Sequence, residues 1–258
     1  ADFLESVNHT LEKKQPHNLK FRMQHPNGDI VWVHDKGEIV EFDQQGNPIR
    51  MVGAIHDITQ EIEQRNQIEK LAFYDSLTGL PNRRLLNDRL QQSIEFHKDK
   101  GCFGAVMFLD LDHFKVLNDV YGHHMGDQLL FTIAQRLPKT LKLDDTVARF
   151  GGDEFVVILN DLSDEPSKAA LIASRIADDL KNSVAQPCQL FNDNNTQTHI
   201  EYEVTTSIGI VIFPSESQHP DGIIQLADMA LYKAKADGRD SLVCFEPKMQ
   251  QQLDSSIS

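Results

Sequence analysis

Four carboxylates stand where acids are costly. Asp110 and Asp112 close the apolar run "CFGAVMFLDLD" (102–112), and Asp153 and Glu154 sit in "RFGGDEF" (149–155), just ahead of Val156, Val157 and Ile158. Alternation along a strand puts Asp110 and Asp112 on one face. If the hairpin at the glycines is the neighbouring strand, Asp110 and Asp153 lie close together. Carboxylates gathered at adjacent strand ends repel one another unless a cation sits among them. Mg²⁺ takes hard oxygen ligands and shares them with phosphate, so one or two carboxylates and a nucleotide suffice. Such a metal can orient an α-phosphate and help activate a hydroxyl nucleophile. Gly151 and Gly152 have no Cβ, which permits unusual backbone angles and close approach of a ligand. Singly, each acid reads as a solvated strand end and the glycine pair as a plain turn. Together they read as half of a site for a metal and a phosphate.

These residues need elements to hold them. "SLTGLPNRR" (76–84) is a turn in which Asn82 caps a helix to about residue 98. The run 102–112 is an apolar, hence central, strand. A helix follows over about 116–137, then a hairpin of "DTVARF" and "EFVVILN", a helix over about 166–184 and a strand "YEVTTSIGIVIF" (202–213). "GIIQLADMALYKAKADG" (222–238) is a helix closed by Gly238, and "SLVCFE" (241–246) a last strand. The order α-β-α-β-β-α-β-α-β has the split-βαβ plan of a ferredoxin-like domain with additions. This predicts an α/β (α+β) fold with a central antiparallel sheet and flanking helices.

Upstream, residues 1–14 read as a short helix. Apolar residues then alternate at Leu19, Phe21 and Met23, at Ile30 and Trp32 and, after a break, at Ile39 and Phe42, with turns at "PNGD" (26–29) and "QQGNP" (44–48). This is an antiparallel meander of about three strands, too short for a generous core alone. "DITQEIEQRNQIEKLAFYD" (57–75) reads as a helix with Ile58, Ile62, Ile68 and Leu71 on a polar background. As a coiled-coil seam its heptad positions are weak, so a solvated linker helix and a pairing helix are equal readings. The expected domains are thus 1–58, a linker helix at 59–74, a main domain at 75–247 and a tail at 248–258.

Bulk properties narrow the function. The 258 residues are 40% hydrophobic and 25% charged, with a net charge of −14. That is ordinary globular composition. It argues against wrapping a nucleic-acid backbone and against a basic membrane-surface patch, but a few local cations plus a divalent metal can hold a small phosphorylated ligand. Cys102, Cys188 and Cys244 form no disulfide framework and no zinc spacing, so a reducing cytoplasm is expected. The longest apolar runs are too short to span a bilayer. The chain lacks a starting Met and opens inside what reads as a helix, so it is expected to be a fragment of a longer protein.

"DSLTGLPNRR" (75–84), "FLDLDHFKVLNDVYGHHMGD" (108–127), "RFGGDEF", "SIGI" (207–210) and "ALYKAKADGR" (230–239) resemble, in order, the motifs of the GGDEF family of diguanylate cyclases, over about 75–247. That family condenses two GTP into cyclic di-GMP and releases two pyrophosphates, on a palm-like scaffold. The resemblance implies that Asp110 and Asp153 bind metal, Mg²⁺ with Mn²⁺ as its alternative, together with the main-chain carbonyl of Leu111. It implies that Asp153 accepts the proton of the attacking 3′-hydroxyl and that Glu154 supports the metal site. Asn118 and Asp127 match the guanine-binding pair; a carboxylate can accept from guanine N1–H and the 2-amino group, whereas adenine has no N1–H. His123 matches a substrate-contacting position. Lys115, Lys235 and Arg239 match the phosphate-contacting cations, and the four-residue spacing of the last two puts them on one helix face. Gly209 is expected to allow close packing beneath the site, and Phe114 and Phe150 to be core.

One stretch departs from the family. Where many members carry an Arg-x-x-Asp product-inhibition site, this chain has Lys142 and Asp145 in "KLDD". Lysine lacks arginine's planar fork, so weak or absent product inhibition is expected. Residues 25–63 resemble the second half of a PAS domain, with an expected role in sensing or dimerisation. The implied mechanism needs a homodimer, each chain supplying a half-site with one GTP, and no direct membrane contact. The alternative is a degenerate GTP-binding GGDEF domain regulating a downstream EAL phosphodiesterase domain, into whose exit segment "CFEPKM" (244–249) resembles a lead. The intact Gly-Gly-Asp-Glu-Phe, Asn118, Asp127 and Lys235 speak against that.

Overall fold

The computed structural model describes residues 3–13, 15–192, 195–214 and 219–249, and the expected tail from 250 on lies outside them. The chain forms two compact units, residues 1–71 and 72–258.

In the first unit, helix α1 (Phe3–Lys13) precedes an antiparallel sheet ordered β1-β2-β3, with β1 at His17–Gln24, β2 at Ile30–Phe42 and β3 at Pro48–Asp57. Tight turns join the strands: Gly28 and Gly46 are left-handed, and the Asp43 carboxylate accepts the Gln45 and Asn47 amides. Strand β2 runs unbroken through the expected gap. Its buried positions are Val33, Asp35 and Gly37, whereas Ile30 is 61% exposed. A polar anchor explains the choice of face. The buried His17 ring lies opposite Gly37, with Nε2 2.9 Å from Asp35 Oδ2 and Nδ1 3.1 Å from Thr10 Oγ1 on α1. A Cβ on Gly37 would come within 2.5 Å of that ring. Helix α2 (Thr59–Phe73) follows and buries no residue, leaving Ile68 and Leu71 mostly exposed.

The second unit is a five-stranded sheet ordered β10-β9-β4-β6-β5 between two layers of helices. β4 (Phe103–Leu111) is central, antiparallel to β9 (Thr206–Phe213) on one side and to β6 (Glu154–Ser163) on the other. β5 (Thr146–Gly151) edges β6, and β10 (Leu242–Cys244) runs parallel to β9. Period-two alternation splits β4 between two cores. Ala105, Met107, Leu109 and Leu111 join α4 (Phe114–Tyr121), α5 (His123–Arg136) and α6 (Pro166–Ala185). Val106 and Phe108 join α3 (Arg83–Lys100) and α7 (Pro220–Ala236). Asn82 caps α3 as expected, its Oδ1 accepting the Arg84 and Leu85 amides.

Two elements differ from the sequence reading. The single helix over 116–137 is two, broken at Gly122 with φ 89°. Apolar spacing continues through Leu117, Met125 and Leu129 and hides the break, which only a residue tolerating positive φ allows. The second is a hairpin of β7 (Cys188–Asn192) and β8 (Asn195–Tyr202) ahead of β9, where no element was expected. Its last residue, Tyr202, is the first of the strand expected over 202–213. Residues 203–205 leave the sheet there, Thr205 offering its carbonyl to the Asp112 amide at 2.9 Å.

Candidate active site

Register brings the acids together. Asp110 on β4 pairs directly with Glu154 on β6, and the Leu111 amide reaches the Asp153 carbonyl at 3.4 Å. Asp110 follows Val106 and Phe108 by alternation, so it lies on the face that α7 covers. There Lys235 Nζ sits 2.7 Å from Asp110 Oδ2. Burial pushes the Asp110 carboxyl above the usual carboxylate range, with Asp153 and Asp112 adding to the effect and Lys235 opposing it. Burial also pushes Glu154 up, followed by the charges of Asp110, Asp228 and Asp153. Asp228, on α7, was not singled out from the sequence. A partly buried cluster of hard oxygens with one lysine against it is a donor set that fits Mg²⁺. Asp112 takes no part in it: hydroxyls and an amide occupy both of its oxygens.

The hairpin that carries Asp153 is held from beneath. Gly152 is left-handed with φ 50°, and a Cβ on Gly151 or Gly152 would meet no protein atom within 4 Å, so both face open space. Arg149 donates from Nε and Nη2 to the Gly152 carbonyl and from Nη1 to both oxygens of Asp75 at 3.0 and 3.2 Å. Burial works against the Asp75 charge, but hydrogen bonds from Thr78 and the Arg149 guanidinium outweigh it and hold the carboxyl below the usual range. Neither residue is among the expected site residues. The signal in "DSLTGLPNRR" is an acid on a turn, Asp75, three residues ahead of Thr78.

The break at Gly122 puts Asn118 on α4 and Asp127 on α5. Asn118 Oδ1 is buried and has no hydrogen-bond partner among the described residues. It occupies the space a side chain at position 126 would need: a Cβ on Gly126 would lie 2.0 Å from it. Gly126, absent from the expected site residues, is what lets that amide sit there. Asp127, His123 and Lys115 are exposed, and their side chains make no hydrogen bond or ion pair among the described residues. Gly209 behaves as expected, since a Cβ there would strike Ala227 O at 2.0 Å and Leu231 N at 2.3 Å on α7. Phe114 and Phe150 pack on the two cores.

One expectation changes. Arg239 is not on the helix face of Lys235, because α7 ends at Ala236 and Gly238, at φ 123°, turns the chain away; Arg239 lies in the following turn with φ 66°. Lys142 and Asp145 lie before β5, at the opposite end of that strand from Gly151, roughly 17 Å away by strand rise. Both Asp145 oxygens are taken by backbone amides, of Lys142 and of Asn160, each at 3.0 Å. Among the described residues a further group, His97, Cys102 and Asp161, has metal-ligand types close together. His97 has no free nitrogen there: Nδ1 meets the Ser93 carbonyl at 2.7 Å, and Nε2 accepts the Asp161 amide at 2.9 Å.

The chain is similar to known proteins. The family "Diguanylate cyclase, GGDEF domain" matches residues 72–241, and "PAS fold" matches residues 1–55. The bifunctional diguanylate cyclase/cyclic di-GMP phosphodiesterase MucR of Pseudomonas aeruginosa is 40% identical over 192 residues, which is 74% of this chain and 26% of MucR. The cyclic di-GMP phosphodiesterase PdeR of Escherichia coli is 37% identical over 207 residues, 80% of this chain and 29% of PdeR. The chain thus spans under a third of the length of these two relatives. Among solved structures, the GGDEF domain of YfiN (TpbB) from P. aeruginosa matches with a TM-score of 0.63 and 35% identity, over 70% of this chain and 99% of that one. DgcB of Caulobacter crescentus, a coiled coil and GGDEF domain in complex with c-di-GMP, matches with a TM-score of 0.62 and 26% identity, over 72% and 93%.

Proposed function

Because this chain belongs to the GGDEF family of diguanylate cyclases, we propose that it condenses two GTP into cyclic di-GMP and two pyrophosphates, each of two chains supplying half of the site. The observation that carries this reading is the carboxylate cluster of Asp110, Asp153 and Glu154 set against Lys235. Asn118 Oδ1, an acceptor lacking a donor, and the Asp127 carboxylate suit the N1–H and 2-amino group of guanine. Lys115, Lys235 and Arg239 offer cations to the triphosphate, His123 contacts the substrate, and the bare backbone of Gly151 and Gly152 leaves it room. Asp110, Asp153 and the Leu111 carbonyl would hold Mg²⁺ or Mn²⁺, which when bound orients the α-phosphate and offsets charge on it. Lys235 then leaves Asp110 for phosphate. Asp153 takes the proton of the 3′-hydroxyl as that oxygen bonds to the α-phosphorus of the facing nucleotide. The bond to the bridging oxygen breaks and pyrophosphate departs with its electrons; the mirror-image step closes the ring. Glu154 supports the acids. Dimerisation supplies proximity, and the PAS-like unit regulates the pairing. No described helix is long and apolar enough to cross a membrane, and we place the reaction in the cytoplasm.

A second reading, a GTP-binding domain that regulates a phosphodiesterase domain beyond this chain, is favoured by the similarity to PdeR. One experiment separates the two. A preparation shown to be dimeric is incubated with GTP and Mg²⁺ and the nucleotides are resolved chromatographically. Cyclic di-GMP forms, and Asp153→Ala lowers its rate by at least about 10²-fold while leaving the fold intact. No product from a dimer would overturn the cyclase reading. With Asp145 occupied and Lys142 lacking the guanidinium fork, added cyclic di-GMP inhibits weakly. Strong noncompetitive inhibition abolished by Lys142→Ala would refute that part.

A further inference from the structure

We propose that Asp112 is a positioning residue that sets the turn carrying Arg239, and through it the grip on the triphosphate; the inference rests on the phosphate role of Arg239 given above. Asp112 is 4% exposed, more buried than Asp110, yet among the described residues no cation pairs with it. A buried carboxylate without a counter-ion is costly unless hydrogen bonds satisfy it. Here three neutral donors do. Oδ2 accepts Thr205 Oγ1 at 2.8 Å and the Asp240 amide at 3.1 Å, and Oδ1 accepts Ser207 Oγ at 2.8 Å. With both oxygens so engaged, Asp112 is not placed to bind metal or move a proton.

Its partners show what it does. Thr205 and Ser207 flank the start of β9, while Asp240 belongs to the turn after α7. In that turn Gly238, Arg239 and Asp240 have φ of 123°, 66° and 44°. Two successive non-glycine residues in the left-handed region persist only where the surroundings over-determine them. The surroundings do so on two sides. Lys181 Nζ holds the Asp240 carbonyl and carboxylate from α6, and the Arg239 amide holds the Ala234 carbonyl. Asp112 adds a side-chain tie to the end of the sheet, beside the Ser241 carbonyl that accepts the Ile208 amide of β9. Arg239 is exposed and its side chain makes no hydrogen bond or ion pair among the described residues, so the backbone alone sets where its guanidinium starts. The acid at the end of β4 and the one just beyond it therefore each govern a cation: Asp110 meets Lys235 directly, and Asp112 places Arg239 through the Asp240 amide.

The test is a double-mutant cycle on the full chain, read by equilibrium binding of a GTP analogue with a non-cleavable methylene between the α- and β-phosphorus, in the presence of Mg²⁺. Arg239→Ala weakens binding about tenfold, as does Asp112→Asn, and the double variant binds no more weakly than either alone. Hydrogen exchange gives an independent reading: the Asp240 amide loses protection in Asp112→Asn. Thr205→Val, which removes one donor and no charge, changes both readouts in the same direction and takes the place of Asp112→Asn if that variant does not fold. Penalties that multiply in the double variant would overturn the proposal, because a general loss of structure adds to the loss of Arg239 instead of acting through it. An Asp240 amide that exchanges no faster overturns it alone. Undiminished binding by Arg239→Ala overturns the phosphate reading of Arg239 and the proposal with it.

Discussion

A Cβ on Gly126 would lie 2.0 Å from Asn118 Oδ1, and that contact makes a prediction at the scale of single residues. The atom displaced is the end of a side chain, so Gly126→Ala leaves the fold standing and moves the amide instead. GTP binding weakens about tenfold, the worth of one good hydrogen bond to a buried acceptor, while the melting temperature changes little. Isothermal titration and a thermal melt of the same sample check both halves. Glu154 makes a second prediction. Burial and its acidic neighbours raise its pKa in the folded state, so the folded domain holds the proton more tightly than the unfolded chain. The associated stability is present at low pH and is lost as pH rises through the raised value. In metal-free buffer Glu154→Gln therefore melts higher than the parent at neutral pH, and the gap closes as pH falls into the ordinary glutamate range. A gap independent of pH would show that Glu154 is not strained by its neighbours.

At the scale of elements, the site depends on how α7 lies on β9. Gly209 brings the helix backbone against the strand, with Ala227 O and Leu231 N where a Cβ would be. Gly209→Ala must move the helix, because neither backbone atom can rotate away. It destabilises the domain by about 2–3 kcal/mol in chemical denaturation, and it lowers nucleotide affinity by shifting Lys235. This close packing is the one expected of Gly209 from its place in "SIGI". The sequence reading joined α4 and α5 because heptad-like apolar spacing carries across a break that one glycine makes. It put Arg239 on α7 because spacing of four residues implies a shared helix face only while the helix lasts, and here it stops at Ala236.

At the scale of the whole molecule, a chain with a net charge of −14 must gather cations locally to hold a triphosphate. Lys115, Lys235 and Arg239 come from α4, α7 and the turn beyond it, so the reaction depends on the complete second unit. On the proposed mechanism it depends on a second chain as well. Product formed per chain per minute falls on dilution as dimers dissociate, and sedimentation at the same concentrations follows the same curve. A rate per chain that stays constant in a monomeric preparation would sink the two-chain mechanism.

What the sequence determined by itself is what acts over a few residues. Period-two alternation put Asp110 and Asp112 on one face of β4. Turn and capping chemistry marked Asn82 and the Gly151–Gly152 corner. Five ordered motifs pointed to the family. The tertiary structure decided what spans the chain. It set Glu154, rather than Asp153, opposite Asp110 in register. It tied Arg149 to Asp75 across 74 positions, and Asp112 to the Asp240 amide across 128. Such contacts have no local pattern to betray them: a buried carboxylate needs donors, but which donors arrive depends on how strands and helices pack once the two cores close. That is why the acids were legible early, and why the division of labour between Asp110 and Asp112 was visible only in the fold.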